Sequence, residues 1–403
     1  MSENWREARR RAVSQARTVV VKVGSAVLSD AQGLNSAVMS HLAGQMALLL
    51  NMHVDGTRRR LVLVSSGAVA AGRAVLAAAG QNWDETSLTA RQAAAAVGQG
   101  QLMRAWDTAF VVHGMTTAQI LLTRDDLRAR ERFFNIRNTV ATLLHWNVTP
   151  IVNENDTVSV SELKFGDNDY LSSLLVNLAG ADMFVNLTSV PGVLVADPRL
   201  NPDAPVMEWI EDVAGLDLWR LCGSKTEAGS GGMYSKLLAA RRAAQIGVPT
   251  MILPGRTPDV LMRAFGLHGE GDGTNKADTQ ETCEGTWVSP SGHSIPRRKF
   301  WMAYQSELAG SVVVDAGAAN AMLRKGSSLL PGGVRAVKGI FQKGTLVRIL
   351  HEGRSLGVGL SNYSTSQLKK IMGLKRHEVA VILGDAHYPE VIHRDNLLLD
   401  AAV

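Results

Sequence analysis

Thr18-Val-Val-Val-Lys-Val-Gly-Ser25 sets three valines ahead of a single lysine at position 22, follows it with a fourth, and closes on Gly24-Ser25. A short β-branched run of this kind, ended by turn residues, reads as a strand buried on both faces. The same grammar recurs at 61–64, closed by Ser65-Ser66-Gly67 and followed by an alanine-rich helical segment. Further strands are predicted at 117–122, 149–152, 183–187 and 249–253. Helix-favouring stretches at 91–110, 170–178 and 235–246 lie between them. Strands alternating with helices predict an α/β fold, an open and mostly parallel sheet sandwiched by helices.

The pattern lapses at 266–296, which is rich in Gly, Thr, Asp and Ser, and the charge changes with it. Residues 1–289 hold 27 Lys and Arg against 29 Asp and Glu, whereas 290–403 hold 15 against 8. The expected organisation is a basic N-terminal extension (1–17), an α/β domain (18–268), a linker (269–294) and a C-terminal domain (295–403). In the last part, short β-like runs at 311–314, 333–340, 345–350 and 356–359 are closely punctuated by glycine, as in a small barrel. Its basic surface suits either a separate anionic partner or plain solubility.

The 403 residues exceed one ordinary core. No run of about 18 uncharged apolar residues exists, so a membrane span is not expected. Arg6, Arg9, Arg10, Arg11 and Arg17 precede an apolar run that Lys22 interrupts, unlike a secretory signal. Cys222 and Cys283 form no CxxC pair. A reduced, cytoplasmic protein is the expectation.

In open α/β sheets, ligands bind outside the carboxyl ends of the strands. The polar residues ending the predicted strands are therefore the candidates for one crevice. They are Lys22 with Gly24-Ser25, Ser65-Ser66-Gly67, Asn153-Glu154-Asn155-Asp156, and Thr188. Lys22, set among valines, must either reach water from a strand end or meet an anion. Gly231-Gly232-Met233-Tyr234-Ser235-Lys236 opens a good helix, either as a simple glycine-rich helix entry or as a phosphate site at its first amides. It is not a P-loop, since no Gly-Lys dipeptide occurs anywhere in the chain. Gly166-Asp167-Asn168-Asp169, taken with Asn155-Asp156, supplies three carboxylates that suit an ammonium or a magnesium–phosphate, or else a pair of Asx turns. His393-Arg394-Asp395 lacks the rest of a protein-kinase loop. Gly98-Gln99-Gly100 lacks the third glycine of a dinucleotide fingerprint, and the histidines show no metal spacing.

In this order the segments VVKVGSAVL, LVSSGAVAAG, AAVGQGQLM, QILLTRDD, RERFFNIRNT, VNENDTV, FGDNDYLS, LAGAD, GVLVADPR and GSGGMYSK resemble the glutamate 5-kinase family of the amino acid kinase superfamily. The likeness continues through DAGAANAMLRKGSSLLPGGV to the terminal HRD, and this last part resembles a PUA domain. The resemblance implies ATP-dependent phosphorylation of the side-chain carboxylate of L-glutamate to L-glutamyl 5-phosphate, the first step of proline biosynthesis. It implies that Lys22 and Lys236 neutralise the transferring phosphoryl group, with Asp169, and Asp167 beside it, orienting either the lysines or the hydrated magnesium. Ser66, Gly67, Asp156, Asp167 and Asn168 would bind glutamate. Lys22, Gly24, Thr188, Ser189, Ser230, Gly231, Gly232, Met233, Tyr234, Ser235 and Lys236 would line the ATP site. Mg²⁺ would be held mainly by ATP phosphates and water. A homo-oligomer (dimer or tetramer), a glutamyl phosphate reductase partner and an RNA contact through the PUA-like domain are further implications. Ser189 stands where many members carry Asp, and Tyr234 occupies the middle of the phosphate loop; both lie on the nucleotide side.

Two other readings compete. One is an RNA-binding PUA protein with a regulatory kinase-like half, motivated by the basic tail. The other is a kinase for a different amino acid or carboxylate. The tail offers few of the aromatic platforms that single-stranded RNA favours, and the GDND segment favours glutamate.

Overall fold

The computed structural model describes residues 4–81, 84, 86–158, 167–222, 232–267, 284–292, 294–304, 308–384 and 388–399. Its contacts divide the chain into Met1–Gly292 and His293–Val403. The strands of the first unit's large sheet are β1 (Thr18–Val23), β2 (Arg60–Ser65), β3 (Thr117–Leu122), β4 (Thr149–Glu154), β5 (Met183–Thr188), β6 (Trp209–Ile210), β7 (Thr250–Pro254) and β8 (Thr286–Val288). They lie in the order β6-β8-β7-β5-β1-β2-β4-β3, and every pairing is parallel except β7 with β8. The chain leaves β1 toward β2 on one side and returns to β5 on the other, so strand order reverses at β1.

All six residues of β1 are buried, as a two-sided parallel strand requires. Val19, Val21 and Val23 enter the main hydrophobic cluster with Leu61, Leu63, Val185 and Leu187. By the two-residue period of a strand, Val20 and Lys22 face the other way. The helices that matter for the site are α1 (Trp5–Gln15), α2 (Ser36–Asn51), α3 (Ala68–Ala78), α4 (Leu88–Val111), α5 (Arg130–His145), α6 (Asp167–Leu178) and α7 (Met233–Gln245). Helix α6 packs on β1, β2 and β4 and against α7. Helices α3 and α4 meet almost backbone to backbone. A Cβ on Gly72 would lie 1.8 Å from the Ala94 carbonyl oxygen, and one on Gly98 would lie 1.9 Å from that of Ala68. Gly98 is therefore a helix-crossing glycine.

The structure adds detail at two expected boundaries. The basic segment 1–17 carries α1 and falls within the first unit. Val13 and Ala16 are buried, and the buried Arg59 guanidinium donates to the Val13 carbonyl at 2.8 Å and the Ala16 carbonyl at 2.9 Å. Trp5 stacks on Trp209 with ring centroids 6.2 Å apart. Apolar Trp5 and Val13 thus anchor an otherwise arginine-rich helix. The expected linker 269–294 also contains β8, whose Thr286, Trp287 and Val288 are all buried in the sheet. Three β-branched or aromatic residues suffice for a strand here because two neighbours already supply the ladder.

In the second unit, β9 (Gly310–Val314), β10 (Val334–Gly339), β11 (Leu346–His351), β12 (Arg354–Leu360) and β13 (Leu397–Leu399) form one mixed sheet in the order β10-β9-β11-β12-β13. Its core gathers Val312, Val314, Met322, Val347, Ile349, Leu368, Ile371 and Ile392. Among the described residues no helix is long and apolar enough to cross a membrane.

Candidate active site

The carboxyl end of β1 lies at the point where strand order reverses, where an open α/β sheet offers a crevice. Lys22 stands there, 4% exposed, and its Nζ lies 2.6 Å from Asp169 Oδ1. Asp169, on the first turn of α6, is 1% exposed. Its second oxygen, Oδ2, lies 3.2 Å from Lys236 Nζ and accepts a 2.5 Å hydrogen bond from Ser235 Oγ. One buried carboxylate thus bridges two buried ammonium groups drawn from β1 and α7, and Lys22 found an anion rather than water.

Burial lowers the Lys22 pKa to about 8, opposed by the attraction of Asp169. Burial pushes Asp169 upward, but the Lys22 and Lys236 cations outweigh it and hold that carboxyl at about 2. Among the described residues, two buried lysines thus share one carboxylate, a grouping of donors that suits a further anion.

Asn168, the neighbour of Asp169, organises a second polar cluster. Its Nδ2 donates to Ser66 Oγ and to Asn153 Oδ1, both at 2.9 Å, and its Oδ1 accepts from the Glu154 backbone N–H at 3.3 Å. Asn153 Nδ2 in turn donates to Gln99 Oε1 at 2.9 Å. Ser66 is held by its own N–H on the Val23 carbonyl at 3.1 Å. Gly67 follows at φ +118°, a conformation that glycine adopts freely, and turns the chain into α3. Consecutive residues of one helix therefore join the charged triad to an amide–hydroxyl cluster.

Asp156 lies half-buried in the turn that follows β4, at the same carboxyl edge of the sheet. Asp167 opens α6, and its side chain lies outside the described residues. Thr188 ends β5, buried, and exposed Ser189 follows it. Gly24 donates its N–H to the Leu187 carbonyl at 3.2 Å, and a Cβ there would come 3.7 Å from Lys22 Nζ. Gly232 caps α7 with no side-chain bond to the first amides, and half-buried Met233 and Tyr234 follow. Ser230 and Gly231 lie outside the described residues.

The amino acid kinase family model matches residues 17–254, and the PUA domain model matches 310–383. A glutamate 5-kinase of Nitratidesulfovibrio vulgaris (strain DP4) is 55% identical over 400 residues, 99% of this chain and 100% of that protein. The chain belongs to the glutamate 5-kinase family. Other glutamate 5-kinases agree from end to end. That of Oleidesulfovibrio alaskensis is 53% identical, covering 99% of this chain and 100% of its own. That of Geobacter sulfurreducens is 42% identical, covering 96% and 98%. ATP use comes with membership of a kinase family.

Sequence reasoning left three residues of this candidate site without a role. Asn153 stood on the rim but was given none, although a polar residue at a strand's carboxyl end was the signal used for its neighbours. Gln99 sat inside the rejected Gly98-Gln99-Gly100 motif. Asn186 interrupts the apolar run of β5 as Lys22 interrupts β1; it donates from Nδ2 to Asp169 Oδ1 at 3.2 Å.

Proposed function

We infer that the chain transfers the γ-phosphoryl group of ATP to the side-chain carboxylate of L-glutamate, giving L-glutamyl 5-phosphate, the first step of proline biosynthesis. The observation that carries this is the buried Lys22–Asp169–Lys236 bridge placed next to the Asn168–Ser66 cluster. A carboxylate is already a nucleophile and needs no general base. The site must therefore align donor and acceptor and neutralise charge on the phosphoryl oxygens as it is transferred. Lys22 and Lys236 take that neutralising role, and Asp169 holds both ammonium groups until phosphate competes for them.

Asn168, Ser66 and the Gly67 turn suit the α-carboxylate of glutamate, and Asp156 suits its ammonium group. Asp167 stands one residue before Asn168 as a further glutamate contact. Residues 230–236, with Gly24, Thr188 and Ser189, are assigned to ATP. The first amides of α7 supply the positive end of a helix dipole to its phosphates. Asp169 already accepts from four donors, so Mg²⁺ is assigned mainly to the ATP phosphates and water, where it would neutralise phosphate charge.

The deciding experiment supplies ATP, Mg²⁺ and glutamate and traps the acyl phosphate as its hydroxamate, with aspartate and acetylglutamate in parallel. Product with glutamate alone is expected. Product only with another acceptor would refute the substrate, and none with any would refute the kinase reading. The second unit, a PUA match with an open groove lined by Ser311, Lys338 and Arg348, suits RNA as an anionic partner. Binding of labelled RNA that Lys338→Glu leaves unchanged would refute that contact.

A further inference from the structure

Asp169 accepts two donors on each carboxylate oxygen, one charged and one neutral. Oδ1 takes Lys22 and Asn186, while Oδ2 takes Lys236 and Ser235. Asn186 is fully buried in β5, its Cα in register with Lys22 of β1 and with Ile252 of β7. Register neighbours in a sheet project to the same face, so the Asn186 side chain stands beside that of Lys22. Its Nδ2 reaches Asp169, whereas its Oδ1 is buried with no hydrogen-bond partner among the described residues. A buried amide that leaves its oxygen unsatisfied costs stability, and an apolar residue would fit the valine- and leucine-lined sheet better. The charged groups around it are Lys22 on β1, Asp169 on α6 and Lys236 on α7.

We propose that Asn186 is a positioning residue for phosphoryl transfer, acting through Asp169. The inference rests on the kinase reading above. Its N–H group fixes the plane of the carboxylate so that one oxygen faces each lysine. It also supplies, with Ser235, a donor that stays in place when the lysines turn toward phosphate. Without such neutral donors the carboxylate would be stripped inside a dry site, and releasing the lysines would cost more. The contact therefore matters in transfer rather than in substrate binding.

The test is a double-mutant cycle in the full chain. Asn186→Leu, with the same branched heavy-atom skeleton but no donor, should lower kcat about tenfold, with both KM values within about twofold of wild type. Made on top of Asp169→Asn, the same change should lower kcat less than about twofold, because the carboxylate it serves is gone. Asn186→Ser, which keeps a donor, should retain more activity than Asn186→Ala. This second pair also serves if the leucine variant fails to fold. Equal losses in both Asp169 backgrounds, a rise in KM without loss of kcat, or equal activity of the Ser and Ala variants would each overturn the proposal. A wild-type chain that makes no acyl phosphate from glutamate would refute the functional reading instead. The cycle is then read in thermal midpoints, where equal shifts in the two backgrounds overturn the Asn186–Asp169 coupling.

Discussion

Raising the pH should switch off phosphoryl transfer through Lys22 while leaving the fold intact. The working form of this lysine is the cation, and burial brings its pKa to about 8 in the free protein. Lys22 is then about 91% charged at pH 7 and about 9% at pH 9, so kcat/KM for ATP should fall about tenfold over that span. The sign for stability is opposite. The folded-state pKa lies below the ordinary lysine value of 10.5, so between about 8 and 10.5 the unfolded chain binds more protons. Within that window the titration of Lys22 makes the protein more stable as the pH rises, so it is not itself a cause of unfolding. Asp169→Asn supplies the internal control. The carboxylate raises the Lys22 pKa, so removing it should move the alkaline limb down by about 1–3 units. A limb arising from the glutamate ammonium would not move. The assay is ADP release from pH 6 to 10 for both proteins, with a thermal melt at each pH. A profile flat to pH 10, or a limb at the same pH in both proteins, would refute the reasoning.

Lys236→Ala should lower kcat roughly 100-fold with little change in glutamate KM, since its cation is assigned to charge that develops during transfer; steady-state kinetics showing only a raised KM would contradict this. Asp156→Ala should raise KM for glutamate far more than for ATP, and an equal rise in both would remove Asp156 from the ammonium site. Gly98→Ala places a Cβ 1.9 Å from the Ala68 carbonyl oxygen and should cost about 1–3 kcal/mol as α3 and α4 separate, which an unchanged melting temperature would disprove. A chain ending at Gly292 should fold and keep kinase activity. One ending at Gly285 loses β8 with buried Trp287 and should be destabilised by at least about 3 kcal/mol, and equal melting temperatures for the two truncations would count against that account.

The α/β class and its strands were legible because a two-sided parallel strand has no choice but to be apolar along its whole length. TVVVKV and its counterparts announce themselves, and the polar residues that end them fall at the ligand-binding edge by the geometry of the sheet. Lys22, Ser66 and Asp156 could be found for that reason, whereas Asn168 and Asp169 stood out only as a carboxylate-rich segment that reads equally as an Asx turn, and drew their roles from the family resemblance. The sequence also showed that Lys22 needed an explanation, since a lysine among valines must reach water or an anion. It could not choose between the two. That Asp169, 147 positions along the chain, stands 2.6 Å from Lys22 and also faces Lys236 depends on how α6 and α7 pack over β1. Gly98 shows the same limit: its neighbourhood reads as a failed nucleotide motif until Gly72 and the Ala68 carbonyl arrive across the helix crossing. Thr286–Val288 shows it again, because three residues carry too little pattern to declare a strand unless ladders already exist on both sides. Local sequence determines what a segment must bury. Which charged and polar groups meet depends on contacts between segments far apart in the chain, and those arise only when the whole sheet and its helices close together.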